Sequence, residues 1–433
     1  MSGEGYSRSR RFTEQRWLVD AAIRLIGVDW DQGRSRYLAQ PCGPEAEPDF
    51  ARVRERIKKF ADIHREFAAA ARVREEAAGA AAQAGDKAGV RQHAFTAAVL
   101  WGGAQWPLFG NTPLNLAYGE HKVACYQRYM EVAPHPIEQV EIPFGGTTLP
   151  AYLHLPLSAD GPVPCIVQVG GMDSFKEHLV AIDGDPLLAA GVARLTLDGP
   201  GQGESVTRGL WVTATNFMDV GRAVVGWLRQ RPDIHPARIG VSGVSFGSFW
   251  ATQFAAAVDD LIGAALMLVV HESGMHDVFE SVSPTFKSRF MYMSGYSDDE
   301  AGFDGFARTM SLEPIAPDVR CPFLIVAGEE DDLSPIESTW QLLRRVSGPK
   351  RLLLYQGERH GISGGPAATK GPDRDAAIVE WFLDRVARRE LEDELHFVDT
   401  EGRVHRTPLF ADDPIEDVVA GIAPRTRGQQ SDK

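Results

Sequence analysis

The pentapeptide Gly243-Val244-Ser245-Phe246-Gly247 narrows the fold of this chain more than any other feature. The apolar run RIGVS leads into it, and the helix-forming stretch SFWATQFAAAV follows. A serine placed between a strand and a helix, with glycine two residues to either side, needs a turn too sharp for ordinary backbone. Side chains at 243 and 247 would strike the neighbouring strand and helix. The pattern is that of a nucleophile elbow, and it predicts Ser245 as a nucleophile at the end of a strand.

The sequence around the elbow agrees. From residue 137 two alternating runs, IEQVEIPF and LPAYLHL, flank Gly145-Gly146 and predict an antiparallel hairpin. Short apolar runs then recur between helical stretches: CIVQVGG, VARLTLDGPG, RIGVSGVSFGS, LIGAALMLVVHE, CPFLIVAGEEDD and RLLLYQGERHG. Runs of this kind are buried on both faces and predict a mostly parallel sheet of an α/β fold. Residues 214–230 and 374–390 are expected as crossover helices. Residues 273–318 hold Phe, Met and Tyr without clean period and read as an excursion roofing a pocket.

Ahead of the hairpin, residues 1–135 predict an all-α domain, with 136–390 as the catalytic domain and 391–433 as an extension. Val53, Ile57, Phe60, Ile63, Phe67 and Ala71 fall at helical spacing over residues 50–82. Gly85-Asp86 breaks the pattern, residues 88–101 resume it, and Gly102-Gly103 and Pro107 then interrupt before a stretch over 113–131. The aromatics Trp101, Trp106, Phe109, Tyr118, Tyr126 and Tyr129 read as a helical core, with substrate contact as the alternative. A hairpin and helix are expected over 395–421, and the end, PRTRGQQSDK, is expected to be disordered.

A serine hydroxyl needs a base, and in this fold the order is nucleophile, acid, histidine. His360 follows the last core run. In the loop Gly328-Glu329-Glu330-Asp331-Asp332-Leu333-Ser334-Pro335 the spacing selects Asp331, with Asp332 as competitor. Two backbone amides must hold the developing oxyanion: Phe246, after the nucleophile, and Met172 in Gly170-Gly171-Met172-Asp173-Ser174, with Gly171 as the alternate. Glu272 ends the run LIGAALMLVVHE, at the strand edge where ligand chemistry in α/β sheets gathers. It reads equally as a satisfied strand-end carboxylate; His271 beside it is a weaker candidate. Asp198-Gly199-Pro200-Gly201-Gln202-Gly203-Glu204-Ser205 reads as structural turns.

The net charge of −14 disfavours nucleic-acid partners. Cys42, Cys125, Cys165 and Cys321 form no metal-spaced cluster, and Cys165 and Cys321, each at the start of an apolar run, read as buried reduced thiols. The N-terminus lacks the apolar stretch of a secretory signal, and no apolar window is long enough to span a membrane. A cytoplasmic setting is expected.

These residues resemble the 2,6-dihydroxypseudooxynicotine hydrolase group of α/β-hydrolases, with its polyketide-shortening and fermentation-respiration-switch-type relatives. The resemblance rests on Gly85-Asp86, on the stretch Gly170-Gly171-Met172-Asp173-Ser174-Phe175-Lys176-Glu177, on residues 198–205 and 243–247, and on the Asp331 and His360 loops. It implies an α/β-hydrolase core under a helical cap that also contributes dimer contacts. It implies cleavage of a carbon–carbon bond beside a ketone, in an aromatic or polyketide-like small molecule, with no metal or organic cofactor. It places Glu272 where that group has a functional glutamate. The extension after residue 391 has no counterpart in the resemblance, and the cap sequence carries over no substrate contact.

Overall fold

A computed structural model describes residues 9–158, 161–270 and 274–409 of the 433. These divide into two compact units. The first contains residues 9–236 and 274–310, the second residues 237–270 and 311–409.

In the first unit, helices Ile63–Gln83, Lys87–Gln105 and Pro113–Met130 pack on one another. Their starts follow from local chemistry. The Asp86 carboxylate accepts from the Gly89 amide at 2.9 Å, and Thr112 Oγ1 accepts from the Asn115 amide at 3.2 Å. The aromatic group from Trp101 to Tyr129 is buried in the core these helices share with shorter N-terminal ones.

Two expectations for this region need correction. Residues 50–82 do not form one helix: Glu47–Arg56 ends, and Ile63–Gln83 begins anew. The Asp62 carboxylate takes the amides of Lys58 and Lys59 at 3.1 Å each, and so competes with continued helical bonding. The interruption comes at Pro107 and not at Gly102-Gly103, which lie inside a helix that runs on to Gln105. The glycines are there because neighbours come close. A Cβ on Gly102 would lie 2.1 Å from the Phe175 ring, and one on Gly103 would lie 2.5 Å from the Phe67 ring.

The strands of this unit are β1 (Ile137–Phe144), β2 (Thr147–His154), β3 (Val163–Val169) and β4 (Ala193–Leu197). β1 and β2 form the expected hairpin, with Phe144 opposite Thr147. Gly145 (φ +54°) and Gly146 (φ +81°) both take left-handed backbone, as a two-residue turn matched to strand twist requires. β2 pairs antiparallel with β4, and β4 pairs parallel with β3.

The second unit carries most of β5 (Ile234–Val244) together with β6 (Ala264–Met267), β7 (Phe323–Gly328), β8 (Lys350–Tyr355), β9 (Glu394–Val398) and β10 (Val404–Pro408). From β5 to β9 each strand pairs in parallel with the next, and β10 returns antiparallel on β9. β6 and β7 are buried along their whole length, as a strand covered on both faces must be. Helix Arg374–Val386 lies within the expected crossover, capped by the Asp373 side chain on the Ala376 amide at 2.8 Å. The stretch after residue 391 supplies two further strands, because β9 continues the pairing from β8. The expected helix beyond it and the C-terminal end lie outside the described residues.

Candidate active site

Ser245 sits between β5 and helix Phe246–Ala256 with φ 53° and ψ −126°, a backbone that few non-glycine residues adopt. A Cβ on Gly243 would lie 2.4 Å from the Gly247 carbonyl oxygen, so only glycine admits so tight a turn. The Ser245 amide donates to the Met267 carbonyl at 2.9 Å, tying the elbow to the end of β6. Ser248 braces it again. Its hydroxyl donates to the Ser245 carbonyl at 2.7 Å and accepts from the Val270 amide at 2.8 Å.

Ser245 Oγ lies 3.1 Å from His360 Nε2. His360 Nδ1 lies 2.9 Å from Asp331 Oδ2 and 3.2 Å from Oδ1. Asp331 is buried, and its Oδ1 also accepts the amides of Leu333 at 2.8 Å and Ser334 at 3.2 Å. These bonds fix the orientation of the carboxylate against the imidazole. Its competitor Asp332 points to solvent beside Arg359, 3.4 Å away. The loops bearing acid and histidine are joined by the Glu330 amide donating to the Glu358 carbonyl at 2.8 Å. Ile362, two residues after His360, and Leu268, just past β6, also take left-handed backbone at φ 40° and 52°. Strained non-glycine residues of this kind gather at functional sites.

A hydroxyl against an imidazole, whose far nitrogen is held by a buried carboxylate, can give up its proton as it attacks a carbonyl. Phe246 opens the helix after the nucleophile, at the positive end of its dipole. Met172 is buried in the loop after β3, in the first unit. Glu272 and His271 lie outside the described residues.

Sequence reading missed the residue that shapes the Met172 loop. Gln202 Nε2 donates to the carbonyls of both Gly170 and Gly171 at 2.9 Å, and its Oε1 accepts the Gly199 amide at 3.2 Å. The glycine-rich turn at 198–205 thus clamps the segment before Met172. A glutamine among glycines gives little signal, since its role shows only once two distant loops meet. Gln202→Leu would leave these buried backbone groups unpaired, at about 1–3 kcal/mol apiece. Urea unfolding is expected to show that loss, while Gln202→Glu, which sets a buried carboxylate against the same two carbonyls, should cost more.

Residues 212–389 match the prolyl oligopeptidase family model. The 2,6-dihydropseudooxynicotine hydrolase of Paenarthrobacter nicotinovorans is 27% identical over 226 residues, 51% of this chain and 59% of that protein. The hydrolyase poxO of Penicillium oxalicum is 35% identical over 136 residues, 30% of this chain and 32% of that protein. The 20-hydroxy-prefusarin hydrolase of Gibberella moniliformis is 28% identical over 231 residues, 51% of this chain and 54% of that protein. The chain thus spans less than two thirds of the length of these curated relatives. Among solved structures, that of the 2,6-dihydroxy-pseudo-oxynicotine hydrolase superposes with a TM-score of 0.68 at 21% identity, covering 82% of this chain and 97% of the other. At that identity the likeness shows the fold, an α/β-hydrolase with a helical N-terminal region. Residues 63–299, more than half of the chain, match the family model described as esterase FrsA-like, and the chain belongs to that family.

Proposed function

We propose that the protein is a cofactor-independent serine hydrolase that cleaves a carbon–carbon bond beside a ketone, with Ser245, His360 and Asp331 as its triad. The observation that carries the hydrolase reading is the unbroken relay from Ser245 Oγ through His360 to the buried Asp331. The bond and substrate class are supported by the relatives named for hydrolysis of 2,6-dihydropseudooxynicotine and 20-hydroxy-prefusarin.

In this mechanism His360 Nε2 takes the Ser245 proton as Oγ attacks the ketone carbon. The oxyanion that forms accepts from the Phe246 and Met172 amides. The carbon–carbon bond breaks, its electron pair stays on the departing carbon, and His360 returns the proton there. The departing carbon must be stabilised as an enolate or by a phenolic ring. A water, deprotonated by His360, then splits the acyl-enzyme to a carboxylic acid and free Ser245. Asp331 keeps the proton on Nδ1 and steadies the imidazolium. Glu272 hydrogen-bonds a substrate hydroxyl or positions the transferred proton.

Ester, thioester or amide hydrolysis by the same triad is the second reading, favoured by the esterase description of the family model. Purified enzyme offered acyl-phenol ketones, 1,3-diketones and aryl esters separates the two. Release of carboxylic acid from the ketones is expected, and Glu272→Gln should slow it by about 10²-fold while affecting esters less. Turnover of esters with no ketone cleavage would overturn the carbon–carbon assignment.

A further inference from the structure

The first unit contains a small recess, partly open to solvent, whose wall includes Trp106, Asp173, Arg289 and Tyr292. Three buried polar atoms of wall residues lack hydrogen-bond partners among the described residues, Arg289 Nε, Trp106 Nε1 and Asp173 Oδ1, as does Nη2 of Arg34, whose Nε bonds Asp173. Their residues are 7%, 9% and 5% exposed for Arg289, Trp106 and Arg34. Arg34 is anchored elsewhere, its Nε on Asp173 Oδ2 and its Nη1 on Asp31 Oδ1, both at 2.8 Å. Its guanidinium lies over the Trp106 ring, 4.2 Å from the centroid. Arg289 Nε is 3.7 Å from Asp173 Oδ1, too far for a hydrogen bond.

Buried donors and acceptors left unpaired cost about 1–3 kcal/mol each, so such a group points to something that completes it. A single oxygen about 2.9 Å from each can bridge Arg289 Nε and Asp173 Oδ1 if it accepts from one and donates to the other. Charge decides between candidates. Arg34 and Arg289 are matched by Asp31 and Asp173, and Lys122 in the wall by Glu177 at 3.4 Å, so no positive charge is left over for an anion. A carboxylate would also face the open lone pairs of Asp173. A neutral hydroxyl avoids both difficulties.

We infer that this recess binds a phenolic or enolic hydroxyl of the substrate, with Arg289 and Trp106 donating to its oxygen and Asp173 accepting its proton. Asp173 directly follows Met172, whose amide the proposed mechanism uses. Assigning the hydroxyl to the substrate rests on the proposed function; its recognition does not.

Calorimetric titration of the full chain carrying Ser245→Ala separates binding from turnover. The probes are 3-hydroxyacetophenone, 3-methoxyacetophenone and 3-acetylbenzoate. The hydroxy ketone is expected to bind about ten-fold tighter than the methoxy ketone, one hydrogen-bonded group's worth. Adding Trp106→Phe, which removes the indole N–H together with part of the ring, or Arg289→Met should erase most of that preference. Equal affinities, tighter binding of the benzoate, or a preference that survives both added substitutions would overturn the inference. The hydroxyl preference would stand even if the wild-type enzyme cleaved only esters, so the two readings fail separately.

Discussion

Ser245→Ala is expected to lower kcat by about 10⁶-fold on whichever substrate the enzyme turns over, with little change in substrate affinity. The size follows from the relay. Without Oγ, His360 has nothing to deprotonate, and the 2.9 Å bond from Asp331 fixes an imidazole with no task. Because the three groups act as a unit, His360→Ala should cost about as much alone as in combination with Ser245→Ala. Steady-state and single-turnover kinetics of both variants and the double variant test this. Additive losses would mean that the two residues do not act in one step.

The largest expected effect on stability lies in the first unit. Lys176 is fully buried, and its ammonium bonds Glu177 at 2.8 Å, Asp198 at 3.2 Å and Glu204. Burial alone would push its pKa down. Asp198, then Glu177, Tyr152 and Glu204, outweigh that and hold it well above the ordinary lysine value. Asp198 in turn is held below the usual carboxylate range: burial would raise it, but Lys176 and Lys122 win. Its oxygens also accept the amides of Lys176 at 2.8 Å and Glu204 at 2.9 Å, so the cluster joins the loop after β3 to the loop after β4. Lys176→Met keeps the length of the side chain and removes the charge, leaving three carboxylates around an apolar group. A loss of about 3–5 kcal/mol in urea unfolding is expected. A change below about 1 kcal/mol would show that Lys122 alone can balance the cluster.

Much of the site was legible because its chemistry is local. The elbow needs glycines two residues either side of Ser245, and the acid must sit at a fixed distance from Gly328 and Pro335. The hairpin turn at Gly145-Gly146 carries its own backbone demand. What escaped the sequence depends on residues far apart in the chain. Gly102 and Gly103 look like helix breakers until Phe175 and Phe67 are seen against them. Asp62 stops a helix whose apolar spacing is unbroken, because a side chain that captures backbone amides leaves no mark on periodicity. Gln202, Arg34 and Arg289 gain meaning only when loops meet: one clamps Gly170 and Gly171, and the others converge on Asp173. The resemblance carried by the motifs agrees with the family match, whose residues 63–299 include 170–177, 198–205 and 243–247.

The nucleophile itself is the most direct thing to measure. The enzyme would be treated with a fluorophosphonate, digested and mapped by mass spectrometry. A single phosphonylated residue at Ser245, absent from Ser245→Ala and strongly slowed in Asp331→Asn, is the predicted result. Labelling at another serine, or labelling of Ser245→Ala at the wild-type rate, would contradict the account.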